Sequence, residues 1–173
     1  MRDADVVLAD GGSIHLRSIE PADGPALVAL HARTSERTRY LRFFSAYPKI
    51  PAADLARFVN VDHRDREAIV AEVDSSVVAV ARYERLRTER PHAEVAFIVE
   101  DAHQHRGIGR VLLVALADAA REAGIVRFVA DVLPGNAAML NVFREAGYPV
   151  EAVYVDGIVH VEFAIADAGR SAP

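Results

Sequence analysis

Apolar positions along the chain alternate between the period of a strand and that of a helix. Ser13-Ile14-His15-Leu16-Arg17-Ser18-Ile19 alternates apolar and polar residues as a half-buried strand does, following turn chemistry at Asp10-Gly11-Gly12. Residues 1–10 read as a short lead-in. Pro21 opens a helix in which Ala26, Leu27, Leu30 and His31 recur at helical spacing. A short second helix is predicted over residues 36–44, with Tyr40, Leu41, Phe43 and Phe44, and a third follows Pro51 with Leu55, Phe58 and Val59. Residues 60–66 are polar and read as a loop. Three strand-like runs come next, at 67–73, 77–83 and 92–100, the first two joined through Asp74-Ser75-Ser76 as a tight hairpin. Leu112, Leu113, Leu116, Ala119 and Ala120 then form one helical stripe that Gly124 ends. A buried strand at 126–133 is broken by Pro134-Gly135-Asn136, and Asn136 is a good N-cap for a helix through Met139, Leu140 and Phe143, stopped by Gly147. Asp156-Gly157 joins runs at 150–155 and 158–165 as a hairpin, and residues 166–173 read as a small polar tail.

This order predicts an α/β (α+β) chain: a mixed central sheet of six or seven strands flanked by four or five helices. A single domain over residues 1–173, with its core at about 12–166, is expected from the length and the lack of repeats or low-complexity segments. Composition adds mainly exclusions. At 51% hydrophobic and 26% charged residues the chain matches an ordinary globular protein. A net charge of −5 disfavours general binding to nucleic acid or to an anionic membrane. The absence of cysteine removes disulfides, thiolate nucleophiles and cysteine metal sites together. The charged start Met1-Arg2-Asp3-Ala4-Asp5 has no signal-peptide pattern, and no apolar run is long enough to cross a membrane, so a cytoplasmic location is expected.

Candidate chemistry centres on Gln104-His105-Arg106-Gly107-Ile108-Gly109-Arg110, between an apolar run at 93–99 and an amphipathic helix. Glycines at 107 and 109 allow a tight turn and close approach to a ligand. The helix that follows points unpaired N–H groups and the positive end of its dipole into that turn. The stretch is therefore an anion cradle suited to a phosphate or pyrophosphate. Glu94 is an acidic residue within the apolar run feeding the turn; it reads as a general base raised in pKa by burial, or as a glutamate on the solvent face of an amphipathic strand. His103 and His105 lack an obvious third ligand, so no metal is expected. His105 and Arg106 are expected to rim the phosphate site, with Arg110 adding charge. Arg39, Arg42, Arg64 and Arg66 read as a solvated face or as recognition of an acidic surface or phosphate, and Tyr40, Phe43, Phe44 and Phe58 as core.

These residues carry a resemblance. Gln104, Gly107 and Gly109 match the acyl-CoA signature of GNAT-superfamily acetyltransferases, and Asn136 with Gly147-Tyr148 matches their second signature, a helix opened by Asn and closed by Gly-aromatic. The resemblance covers about residues 12–166 and implies acetyl-CoA as co-substrate. It implies that main-chain N–H groups of residues 106–111 hold the pyrophosphate. Pantetheine would lie between a splayed strand pair, against Phe97, Ile98 and Val99, with Asn136 approaching its far side. It also implies that Glu94 is the base. Many relatives place a tyrosine acid seven residues after the Asn; here that position is Phe143, which has no proton to give and is expected only to contact the cofactor. Either the thiolate leaves unprotonated, or Tyr154 or His160 serves. The stretch Ser35-Glu36-Arg37-Thr38-Arg39-Tyr40-Leu41-Arg42-Phe43-Phe44, with Asn60-Val61-Asp62-His63-Arg64, resembles the acetyltransferase domain of bacterial protein lysine acetyltransferases, which tend to share the Phe. This implies a protein substrate such as an acyl-CoA synthetase. A small-molecule amine acceptor, or a non-catalytic acyl-CoA-binding module, stands as the alternative. Monomer and homodimer both stay open.

Overall fold

A computed structural model describes residues 3–165, so the expected polar tail at 166–173 lies outside the described residues. Eight strands form one sheet in the order β1-β2-β3-β4-β5-β6-β8-β7. They are β1 (Asp3–Val7), β2 (Ser13–Ser18), β3 (Arg66–Val73), β4 (Ser76–Arg85), β5 (His92–Val99), β6 (Arg127–Val132), β7 (Glu151–Val155) and β8 (Ile158–Ala164). All neighbours are antiparallel except β5 and β6. The helices are α1 (Gly24–Arg33), α2 (Glu36–Phe43), α3 (Ala52–Val59), α4 (Ile108–Glu122) and α5 (Ala137–Glu145). The mixed sheet and helix content match the expectation, with one strand more than the upper count. The extra one is β1, which the lead-in reading missed: it is a five-residue edge strand with no fully buried residue, and its polar–apolar alternation is too short to stand out.

Local chemistry explains most element ends. Asp74 and Ser75 at φ 48° and 63°, and Asp156 and Gly157 at φ 50° and 86°, put both central residues of each hairpin turn in the left-handed region that a primed turn needs. Ser35 caps α2 by accepting the Thr38 N–H at 3.1 Å. Asp62 organises the polar loop, its Oδ1 accepting the N–H groups of Arg64, Asp65 and Arg66.

The sheet separates two apolar layers. On one face α4 and α5 pack over Leu16, Ile69, Ala81, Tyr83, Val95, Phe97, Phe128 and Phe163. On the other, α1 and α3 bury Leu27, Leu30 and Val59 against Val70, Val80 and Ile98. Strand alternation thus divides β5, with Val95 and Phe97 toward α4 and Ile98 toward the opposite helices. The core reading holds for Phe43 and Phe58, which pack against the second layer, and is corrected for Tyr40 and Phe44, which are 51% and 36% exposed. A helix of two turns lying at the margin of the layer cannot bury rings on all sides.

Candidate active site

The site is created by an interruption of the sheet. Pairing between β5 and β6 covers only His92, Glu94 and the residue between them, opposite Arg127–Val129. Beyond Glu94 the strands part, so Val95–Val99 have no partner residues on β6, while β6 continues to pair with β8 as far as Val132. Backbone N–H and C=O groups are obligatory hydrogen-bonding groups. A sheet opened this way in its interior offers them to a ligand with amides of its own.

The mouth of this gap is the predicted glycine turn. Gly107 has φ 84° and caps α4, a conformation that an L side chain resists, and His105 also lies in the left-handed region at φ 61°. Helix α4 runs for 15 residues from Ile108, so its first-turn N–H groups and dipole face the turn. The site thus provides a phosphate cradle and a strand gap beside each other, the donor set that an acyl-CoA requires.

Individual residues are used differently from their expected roles. Gly109 gives room to a neighbouring side chain: a Cβ there would stand 2.9 Å from Cγ2 of Val142 on α5. Arg106 donates from Nε to Asp10 at 2.6 Å, tying the β1–β2 turn to the glycine loop, and its NH1 lies 3.0 Å from His103 Nδ1. That hydrogen bond, with the Gly12 N–H, holds the Asp10 carboxyl below its usual range. Gln104 donates to the Val99 carbonyl at 3.1 Å and to Thr38 Oγ1 at 3.3 Å, so it closes the end of β5 against α2. His105 and Arg110 are exposed, and Ile108 is buried in the core. Asn136 caps α5, accepting the Met139 N–H at 3.2 Å.

Phe143 is corrected from a ligand contact to a core residue. It is 1% exposed and packs against Phe97 and Phe163, with ring centroids at 6.0 and 5.3 Å. Tyr154, 66% exposed, and His160, paired with Asp131, both lie on the β7–β8 hairpin.

Glu94 is exposed, which matches the reading of a solvent-face glutamate and overturns that of a base raised by burial. The apolar layer on its face includes Val80 and Ile98 but no residue at this end of β5. Its place is nevertheless specific. It is the last paired residue before the gap opens, and it shares a strand face with Ala96 and Ile98. Those two residues line a pocket that opens on this face together with Arg42, Phe43, Phe58 and Arg82. Burial lowers Arg42 to about 10, opposed by the nearby Glu94 charge; burial and the charge of Arg42 lower Arg82 to about 9. Both remain cationic at neutral pH.

A bolt of polar contacts joins the two halves of the site. The Asp101 carboxylate accepts the Ser35 N–H at 2.8 Å, the Ser35 hydroxyl at 2.7 Å and the Thr38 hydroxyl at 2.8 Å. Partial burial opposes its ionisation, but these donors prevail and hold the carboxyl below its usual range. The Ser35–Phe44 stretch is thereby fixed to the segment that enters the glycine loop. Sequence spacing gave no sign of Asp101, Asp10, His31 or Arg82 as site residues. Arg42 was visible only as part of a charged helix. Among the described residues no group of three or more His, Cys, Asp or Glu is placed to hold a metal ion. No helix among them is long and apolar enough to cross a membrane.

Comparison with known proteins agrees with this geometry. Residues 31–148 match the model of the acetyltransferase (GNAT) family. The chain is 35% identical over 144 residues to the acetyltransferase Pat of Mycolicibacterium smegmatis, covering 82% of this chain and 43% of that protein. It therefore spans less than half the length of that curated relative. The crystal structure of the GNAT domain of S. lividans PAT superposes with a TM-score of 0.88 at 41% identity, covering 94% of this chain and 96% of that one. A cAMP-binding acyltransferase from Mycobacterium smegmatis superposes at 0.68 with 30% identity, covering 95% of this chain and 48% of that one. The family match runs from the helices over one face, through the strand gap, to the end of α5, and on that span the chain belongs to the acetyltransferase (GNAT) family.

Proposed function

We propose that the protein is an acetyl-CoA-dependent N-acetyltransferase whose acceptor is a protein lysine, with Glu94 as the base. The observation that carries the reading is the parting of β5 from β6 at Glu94, with the N-terminus of α4 at the mouth of the gap. Main-chain N–H groups of residues 106–111 would hold the pyrophosphate, and the open backbone of Phe97, Ile98 and Val99 would take the pantetheine amides. The co-substrate supplies an acetyl thioester. A lysine ammonium of pKa about 10.4 cannot attack it until a proton is removed. Glu94 stands where the strands diverge, on the face away from α4, open to solvent and to an incoming amine. Its carboxylate takes the amine proton directly or through one water. Backbone N–H groups at Phe97–Val99 polarise the carbonyl during attack. Since Phe143 is core, the CoA sulfur leaves as thiolate, which a thiol pKa near 8.5 tolerates.

The protein-lysine acceptor, an acyl-CoA synthetase being the first to test, is supported by the likeness to Pat of M. smegmatis and PAT of S. lividans. Incubation with acetyl-CoA and candidate synthetases, followed by mass spectrometry of lysines, tests it. Equal or faster thiol release on free polyamines, amino acids or aminoglycosides would assign the enzyme to small amines instead. For the base, Glu94→Gln should leave acetyl-CoA affinity intact in a calorimetric titration while lowering turnover by about 100-fold or more. Unchanged turnover removes Glu94 from the mechanism.

A further inference from the structure

Six charged contacts elsewhere in the fold contrast with two pocket-lining arginines that lack one. Arg17, Arg85, Arg106, Arg121 and Arg127, all half-buried, each hold a carboxylate: Arg17 takes Asp23 and Glu72, Arg85 takes Asp65, Arg106 takes Asp10, Arg121 takes Asp118 and Arg127 takes Glu162. Arg42 and Arg82 are also half-buried, yet neither is in ion-pair contact with a carboxylate among the described residues. Each instead rests on an aromatic face, Arg42 at 4.7 Å from the Phe43 centroid and Arg82 at 4.3 Å from that of Phe58. Arg82 also donates from NH1 to the Phe58 carbonyl at 3.4 Å, and stacking of this kind supports each guanidinium plane while leaving its remaining N–H groups for an in-plane acceptor.

The two come from distant parts of the chain and line one small open pocket, with a cavity volume of about 30 Å³, walled by Leu27, Leu30, Ile50 and Ile98. His31 lines it too, and its Nε2 is buried without a hydrogen-bond partner. The charges of Glu94 and Glu84 reach these partly desolvated cations without ion-pair contact, and an anion seated in the pocket would offset their burial further. Arg82 pairs in register with Ala96, two residues along β5 from Glu94, a distance of about 7 Å.

We propose that Arg42 and Arg82 form a carboxylate-binding subsite that selects the substrate. It rests on the reading of Glu94 as the place where acetyl transfer occurs. The carboxylate has two possible carriers: an acidic side chain beside the acceptor lysine, or the far end of a dicarboxylic acyl donor. Bidentate contact with a guanidinium suits either one.

Thiol release distinguishes them. The protein and its Arg42→Met and Arg82→Met variants are assayed with acetyl-CoA on a lysine peptide bearing a neighbouring glutamate, and on the same peptide with glutamine there. The glutamine peptide is also assayed with succinyl-CoA. The unaltered protein should prefer the glutamate peptide by about tenfold or more in kcat/KM, chiefly through KM, and each variant should bring that ratio near one. A preference for succinyl-CoA on the neutral peptide, abolished in the same variants, assigns the carboxylate to the donor. Absence of both preferences, or preferences that survive both substitutions, overturns the subsite. Acetyl-CoA affinity reports that the variants fold, and Arg42→Lys, which keeps the charge, should retain part of the preference. Glu94→Gln should slow both peptides and leave their ratio unchanged, so failure of the base and failure of the subsite give different patterns. Independently of turnover, glutarate should shift the Nε–Hε resonances of Arg42 and Arg82 in the unaltered protein. If turnover is absent with every acceptor, a lack of such shifts overturns the subsite as well.

Discussion

On the α4 side of the sheet, what a ligand would meet is main chain: a left-handed Gly107, the first turn of a long helix and the edge of β5 that β6 leaves open. On the α1–α3 side it would meet side chains: two stacked arginines, His31 and a rim of leucine, isoleucine and phenylalanine. The first surface is set by backbone geometry, which tolerates almost any side chain that respects the turn. The second depends on the identity of residues brought together from α2 and β4. A fold that must always bind one co-substrate but accept different amines would be built this way, with recognition of the shared partner in the backbone and of the variable one in replaceable side chains.

The sharpest way to break that comparison is at Gly109. If its lack of a side chain serves packing, Gly109→Ala should destabilise the fold by about 1–3 kcal/mol through contact with Val142, measured by denaturant unfolding. Val142→Ala in the same chain should recover most of the loss, and the double-mutant cycle should give a clear coupling energy. Acetyl-CoA affinity should recover with stability. Affinity that stays low in the rescued protein would return Gly109 to the role the sequence suggested, close approach to the ligand.

This residue also marks how far the sequence could be read. The hairpins at Asp74-Ser75 and Asp156-Gly157, the cap at Asn136, the stripe of α4 and the turn at Gly107 were all legible, because each depends on neighbours within a few positions. Strand β1 was not, since its alternation spans only five residues and holds just Ala4 and Val6 on its inner face. Glu94 could be placed on its strand, but its exposure depends on what the fold packs over that face of the sheet. Arg42 and Arg82 were unreadable for a similar reason. A cation on a short amphipathic helix looks solvated until the strand that supplies its companion is seen beneath it. The motif at Gln104 indicated a site while hiding the duty of that residue, which is to close β5 against Thr38.

A smaller effect tests the bolt between the two surfaces. Asp101→Ala removes three hydrogen bonds that anchor the start of α2, and the expected cost is about 1 kcal/mol at neutral pH. The sign of its pH dependence follows from the lowered folded pKa. Stability from the ionised carboxylate is fully present above the unfolded value near 3.9 and is lost as pH falls through the lower folded value. Thermal melts of the two proteins should therefore differ at pH 7 and converge below pH 4. A gap that persists in acid would mean that packing, and not the charge of Asp101, holds α2 to the loop.

The smallest expected effect concerns Arg106, where the two kinds of surface meet. Its guanidinium is engaged by Asp10 and lies beside His103, and a side chain at Gly12 would collide with it. Held in this way, Arg106 acts on the glycine loop through the β1–β2 turn. Arg106→Gln and Asp10→Asn should then weaken acetyl-CoA binding alike, by no more than about fivefold, because an exposed ion pair contributes little. An arginine that touched phosphate directly would behave differently: Arg106→Gln would lose more than Asp10→Asn, and its loss would shrink with added salt as screening weakened the contact. Equal, salt-insensitive losses in the two variants leave phosphate recognition with the backbone. That result would assign the charged side chains of the co-substrate side to shaping the loop, and those of the acceptor side to choosing what it acts upon.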